Sequence, residues 1–311
     1  MRNAFAAELT ALAKEDPRVV MLSGDIGNRL FDEYKAAAGA RFFNCGVAEA
    51  NLISMAAGLA MSGFRPIAYT IASFITTRCY EQIRVDVCYH ETPVIIVGVG
   101  AGLSYASLGA THHSCEDIAI MRALPHMTVI CPGDAVETRA ALRAALAHDG
   151  PSYIRIGKKG EPVVHRSPPA FTIGKGIEMR AGLDVCLLST GTLLPETLAA
   201  AELLEKQKLS VRVVSLHTVK PLDEELVLEA FKRHRLVATV EEHSVIGGLG
   251  GAVAELISEL SPQQRRAQFT RIGTPDVFLH EPGEQEFARE HFELDAKGIA
   301  KKIVHSLSNS D

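Results

Sequence analysis

Six short β-rich apolar runs, VVMLSG, RFFNCG, PIAYTIAS, PVIIVGVGA, MTVICPGD and PSYIRIG, punctuate the first half of the chain. Helical patterns such as ITTRCYEQIRVDVCYH and AVETRAALRAALAHDG separate them, and an opening helical pattern, RNAFAAELTALAKEDPR, precedes them. Parallel strands need long crossovers, which helices of this kind supply, so the alternation predicts an α/β fold with a doubly wound, mainly parallel sheet. From Gly157 to Gly174 the sequence turns rich in Pro and Gly and loses its period, as where one core ends and another begins. A second series then follows: DVCLLSTG, SVRVVSLHTV, RLVATVEEH and FTRIGT, with helical stretches between and a last helix near KGIAKKIVHSL. The expected organisation is a first domain over 1–160, a linker over 161–173 and a smaller, also doubly wound α/β domain over 174–311. The 311 residues suffice for two such cores, each of roughly 100–200 residues.

Composition removes several function classes. Hydrophobic residues at 47% and charged residues at 22% describe an ordinary globular chain, so neither disorder nor a membrane span is expected. No apolar run approaches the roughly 18–20 residues that cross a bilayer, and Met1 to Ala4 lack the order of a signal peptide. A cytoplasmic location is expected. Lys and Arg number 32 against 37 Asp and Glu, with no basic run long enough to follow a phosphate backbone, so nucleic acid is a poor partner. The six cysteines form no C-x-x-C pair, and five lie in or beside apolar segments, which favours buried thiols over a metal or redox role. Cys115, in a polar loop, is the exception.

Ligands of open parallel sheets bind beyond the carboxyl ends of strands, so the loops after strands hold the candidate chemistry. After PVIIVGV comes GAGLSYASLGATHHSCED, eighteen small and polar residues, too long for a mere connector. GLSYA nearly matches the nucleophile elbow G-x-S-x-G, but Ala106 replaces its last glycine, which argues against Ser104. Adjacent His112 and His113 diverge on an ordinary backbone, so no metal site is expected. A loop histidine near a strand end can instead donate a proton or hydrogen bond to a substrate oxygen, an option weighed evenly against a solvated loop. IGGLGGAV lacks the third glycine of a dinucleotide fingerprint and reads better as tight packing at a helix start. Neither a G-D-G motif with a following Asn nor a Walker-type loop is present. The stretch FFNCGVAEANLISMAAGLA places an acid, Glu49, at the start of an apolar helix, where it would complement the helix dipole or serve as a buried acid.

FFNCGVAEANLISMAAGLAMSGFRPIAYTIASF resembles the pyrimidine-binding domain of transketolases. GATHHSCEDIAIMRALPHMTVICPGDAVE resembles the next block of that family, and SLHTVKPLDEE with VEEHSVIGGLGGAVAE resembles its C-terminal domain. With no diphosphate-binding domain ahead of these, the chain resembles the C-terminal subunit of a split, two-chain transketolase. The resemblance implies thiamine diphosphate as cofactor, with magnesium held mainly by a separate N-terminal subunit. It also implies an α2β2 assembly, and ketol transfer from a ketose to an aldose.

By register with the family's motifs, Glu49 matches the glutamate that hydrogen-bonds the pyrimidine ring nitrogen. A carboxyl shielded from water and sharing its proton there promotes the imino tautomer, which deprotonates the thiazolium carbon. Phe74 matches the aromatic that stacks on the pyrimidine, with Ile71 and Thr77 where further aromatics usually stand. Asp25 and Ile26 match an acid–apolar pair beside the cofactor. His112 matches the histidine facing the substrate carbonyl, and Arg2 and Lys158 match phosphate-binding cations. The aspartate of D-G-P-T-H, which reads a sugar hydroxyl, is Leu108 here, and the upstream phosphate-binding histidine falls near Gly100. Ser107 or His113 could restore the lost hydrogen bond, so His113 joins the substrate-binding candidates. Two other functions stay open at this level: the β subunit of a 2-oxo acid dehydrogenase, and a non-catalytic assembly subunit.

Overall fold

The computed structural model describes residues 1–27, 29–261 and 265–308. Twelve strands are assigned among them: β1 (Val19–Ser23), β2 (Phe42–Asn44), β3 (Arg65–Ile71), β4 (Ile95–Val99), β5 (Thr128–Ile130), β6 (Ser152–Ile156), β7 (Ile177–Arg180), β8 (Val185–Thr190), β9 (Val211–Ser215), β10 (Thr218–Lys220), β11 (Leu236–Ser244) and β12 (Gln268–Thr274). They form a seven-stranded sheet ordered β10-β5-β6-β4-β3-β1-β2 and a five-stranded sheet ordered β12-β11-β8-β9-β7. All six apolar runs of the first half became strands, parallel to one another. β1 and β4 are buried at every position, because helices cover both faces and leave no side that favours polar residues.

Two edge strands escape the sequence pattern. β7 is short, half-exposed and antiparallel to β9, so it shows no apolar run. β10, which follows the linker by many residues, joins the first sheet antiparallel to β5, pairing Thr218 with Ile130. The second half thus completes the first sheet by backbone hydrogen bonding. The stretch ITTRCYEQIRVDVCYH is not one continuous α-helix. A helix at Ala72–Thr77 breaks at Arg78 and Cys79, and the chain resumes through Tyr80–Gln82 into a π-helical segment, Ile83–Tyr89.

The linker is pinned by one carboxylate. Asp134 caps the helix Ala135–Ala147 by accepting from the N–H groups of Val136 (2.8 Å) and Glu137 (2.9 Å). Its second oxygen accepts from the backbone of Val164 (2.9 Å) and His165 (3.0 Å), and from the His165 ring at 3.0 Å. Burial opposes its ionisation, but the His165 ring and these N–H donors outweigh that and hold the carboxyl well below its ordinary range.

Next to the linker, the buried His217 ring stacks on Phe171 at 3.8 Å between centroids, with Nδ1 3.0 Å from Thr218 Oγ1. Burial pushes its pKa down to about 4, with His165 adding to the effect and Asp223 opposing it. The folded chain therefore holds His217 neutral, while the unfolded chain takes up a proton below about pH 6.5. This stability is present above pH 6.5 and is lost as pH falls toward 4, by about 3 kcal/mol over that window. His243 is pushed down to about 4 by burial as well and contributes a second such slope. Thermal unfolding followed from pH 7 to pH 4 should show the melting temperature falling, and His217→Phe, which keeps the ring stack, should flatten part of that fall. An unchanged slope in the variant would remove His217 from the account.

Candidate active site

Because β1, β2, β3, β4 and β6 run parallel, the loops after them leave along one edge of the sheet. The chain passes from β1 to β2 on one side and to β3 on the other, so a crevice opens at this reversal. Asp25 and Ile26 follow β1, Glu49 follows β2, Ile71 ends β3 with Phe74 just beyond, His112 lies in the loop after β4, and Lys158 follows β6.

Glu49 is the first residue of the helix Glu49–Met61, whose cap residue, Ala48, offers no side-chain hydrogen bond. A dipole-complementing acid would work as well in solvent, yet the Glu49 side chain is only 5% exposed. Desolvating a carboxylate is costly, which points to a use for it in this place. Its oxygen Oε1 lies 3.2 Å from Arg78 Nη1. The Arg78 guanidinium also sits over the Phe74 ring, with Cζ 3.9 Å from the centroid. His112 meets Phe74 edge-on at 5.1 Å. Ser73 Oγ donates to Thr111 O at 3.1 Å, so the short helix bearing Phe74 is tied to the loop bearing His112. Burial first, then the neighbouring His113 and Arg78, lower the His112 pKa, and the ring is neutral at pH 7. A neutral imidazole keeps one N–H, which can donate to a substrate oxygen.

The flanks are polar or closed. Asp25 adopts φ 58°, and Asn44 Nδ2, one turn before the helix of Glu49, donates to Asp25 Oδ1 at 2.8 Å. Ser23 Oγ donates to Ile26 O at 2.8 Å, while the half-buried side chain of Ile26 packs on the core. Ile71 packs on the same core, and Thr77 Oγ1 donates back to Ser73 O within its own helix.

At the other end of the loop, Tyr105 gathers the two candidate cations. Arg2 lies beside its hydroxyl, and Lys158 Nζ lies 5.0 Å from its ring centroid. Arg2 is held there because Phe5, one turn later in the helix Arg2–Glu15, stacks on Tyr69 of β3 at 5.4 Å. Among the described residues neither cation has a carboxylate partner, and Arg2 Nε is buried without an acceptor. Gly100, at φ 77°, makes the arrangement possible: a Cβ there would stand 1.9 Å from Tyr105 Cε2. The structure does not bring His113 to this edge through a free ring nitrogen. Its ring is buried, with Nε2 3.2 Å from Ala106 O, and it lines a separate cavity of about 360 Å³ with Cys115 and residues 274–279. Burial pushes the Cys115 thiol up to about 12, so it is inert despite its polar loop. Ser104 is likewise spent inside the fold, donating to Ala101 O at 2.7 Å.

Residues 1–161 match the family described as "Transketolase, pyrimidine binding domain", and residues 174–299 match "Transketolase, C-terminal domain". The chain belongs to the transketolase family. It is 38% identical over 310 residues to a putative transketolase C-terminal section of Methanocaldococcus jannaschii, covering 99% of this chain and 96% of the relative. A 6-deoxy-6-sulfo-D-fructose transketolase subunit, SqwH, of a Clostridium species is also 38% identical, over 97% of this chain and 92% of that one. Among solved structures, a split gene transketolase described as an inactive beta4 tetramer superposes with a TM-score of 0.90 at 38% identity. The match covers 99% of this chain and 98% of the other.

In this transketolase chain Leu108 closes a short 3-10 turn, Ala106–Leu108, and is 54% exposed, so no packing requirement explains an apolar side chain there. The glycine cluster is accounted for by Glu241, which accepts from Leu249 N and Gly250 N at 2.7 Å each, at the start of the helix Leu249–Ser258. A Cβ on Gly248 would stand 2.0 Å from Glu241 Oε2. Three residues of the site region escaped the sequence reading: Arg78, Tyr105 and Arg155. Arg155 of β6 is buried with Asp117, donating from Nε to Asp117 Oδ1 and Oδ2 at 3.0 and 2.8 Å. Its Nη2 donates to Ser114 O and Glu242 O at 2.9 Å each, and Tyr153 donates to Asp117 Oδ2 at 2.6 Å.

Proposed function

We propose that this chain supplies the pyrimidine-binding half of a thiamine-diphosphate-dependent transketolase, which moves a two-carbon ketol unit from a ketose to an aldose. On this reading it works with a separate subunit that holds the diphosphate and magnesium, in an α2β2 assembly in the cytoplasm. The observation that carries the reading is Glu49, a buried carboxylate linked through Arg78 to the face of Phe74 at the carboxyl edge of the sheet. A carboxyl group next to an aromatic platform suits an aminopyrimidine, whose ring nitrogen can share a proton with the acid and whose face is flat. A relative named as a C-terminal section and a structure named as a split transketolase support a two-chain enzyme.

When bound, the cofactor supplies the nucleophilic carbon. Glu49 holds the proton shared with the pyrimidine nitrogen, and Phe74 fixes the ring plane. Asp25 and Ile26 border the crevice, with Ile71 and Thr77 flanking Phe74. His112 hydrogen-bonds the substrate carbonyl oxygen. Arg2 and Lys158, gathered by Tyr105, receive an anionic end of the sugar, and a sulfosugar transketolase subunit among the relatives fits that charge preference. With Leu108 offering no hydrogen bond where the family reads a hydroxyl, the pattern near that position is less strictly selected.

The test is calorimetric and kinetic. Thiamine diphosphate with magnesium should bind tightly only after the chain is combined with its diphosphate-binding partner. The combined enzyme should turn over a ketose plus an aldehyde, and not a 2-oxo acid plus a lipoyl acceptor. Tight magnesium-dependent binding by the chain alone would falsify the shared site.

A further inference from the structure

Arg78 repeats, with its own side chain, both contacts expected of an aminopyrimidine. Its guanidinium is flat and cationic, lies 3.9 Å over the centre of the Phe74 ring, and aims an N–H at Glu49 Oε1 from 3.2 Å. One face of a benzene ring accepts one flat partner at van der Waals distance, and one carboxylate oxygen in a crevice accepts one donor along a given direction. We propose that Arg78 is a placeholder for the pyrimidine: in the chain without cofactor it closes the aromatic platform and pairs the buried acid, and cofactor loading displaces it.

This rests on the pyrimidine site assigned above and adds a residue to it. The local backbone suits the role. Arg78 stands at the break after the helix Ala72–Thr77, before the chain resumes at Tyr80, so its side chain is not locked into a helical row. Its side chain is 48% exposed while its partner Glu49 is 5% exposed, so the arginine can leave into solvent without unfolding anything, whereas the acid cannot follow it. Without such a partner the apo chain would keep a carboxylate in a water-poor crevice with nothing to pair it. The contact is also weak enough to be reversible. A half-exposed cation–π contact and a half-exposed ion pair each stabilise only modestly.

The proposal is tested on the complete two-subunit enzyme, by titrating thiamine diphosphate with magnesium calorimetrically into wild type, Arg78→Ala and Arg78→Lys. Removing a competitor should tighten binding, by roughly three- to thirty-fold for Arg78→Ala. Arg78→Lys should fall between, since lysine still pairs with Glu49 but has no flat face to lay on Phe74. Equal or weaker binding by Arg78→Ala overturns the proposal, weaker binding meaning that the arginine contacts the bound cofactor instead. Phe74→Ala serves as the control for the underlying site. If it binds cofactor as tightly as wild type, the pyrimidine-site assignment itself fails, whatever Arg78 does. Should Arg78→Ala not fold, the lysine variant carries the comparison alone, and binding no tighter than wild type overturns the proposal.

Discussion

Glu49→Gln should reduce ketol transfer by at least two orders of magnitude while leaving the fold intact. Glutamine is nearly isosteric, fills the same buried place at the start of the helix Glu49–Met61, and accepts the Arg78 hydrogen bond through its amide oxygen. What it lacks is an acidic proton to share. Loss of a positioned acid–base group costs roughly 10²–10⁴-fold in rate, so the effect should fall mainly on kcat and only weakly on cofactor affinity. The step can be isolated by following deuterium exchange at the thiazolium carbon of the bound cofactor, which needs no sugar. Exchange in Glu49→Gln should slow in parallel with turnover. Turnover lost with exchange unchanged would move the role of Glu49 away from cofactor activation, and wild-type turnover would remove it from the chemistry.

How far these residues could be read before the fold was known depended on the range of their interactions. Glu49 and Phe74 sit within a few residues of a strand end and His112 lies in the long loop after β4, and the apolar runs that mark those strands are local signals. Their convergence on one edge follows from parallel topology alone. Tyr105 was invisible because its meaning depends on Arg2 and Lys158, about a hundred residues upstream and fifty downstream, and on a glycine that yields space. Arg78 was read as part of a continuous helix, so the break that frees its side chain went unseen. β10 looked like the tail of a longer run, SVRVVSLHTV, although Leu216 and His217 separate it from β9 and it pairs with a strand nearly ninety residues earlier. In each case the missing information was a partner distant in sequence, which no periodicity records.

Arg155 is the extreme case, and its replacement carries the second large prediction. Arg155 stands inside the apolar run PSYIRIG; β6 is interior to the sheet and the side chain is 1% exposed. Burial alone would raise the Asp117 carboxyl, and Arg155, with His243 and the Tyr153 hydroxyl, more than reverses this, leaving it below its ordinary range. The same guanidinium holds two carbonyls from different parts of the chain. Ser114 belongs to the loop of His112 and is bridged to Gly102 at the loop's base, and Glu242 lies on β11 of the second sheet. Arg155→Met fills a similar volume but leaves Asp117 buried with the Tyr153 hydroxyl as its remaining side-chain donor, removes the Arg155 donor from the Glu242 carbonyl and leaves the Ser114 carbonyl with only the Gly102 N–H. Removing one member of a buried ion pair costs roughly 3–5 kcal/mol, which for each of the two cooperating cores is a large share of total stability. Arg155→Lys should recover only part, since a point charge cannot span Asp117, Ser114 and Glu242 together. The combined variant Arg155→Met with Asp117→Leu should recover more, because it removes the orphaned charge. Chemical denaturation of the three variants checks the order. If Arg155→Met alone unfolds within about 1 kcal/mol of wild type, the guanidinium does not tie the loop of His112 to the two sheets.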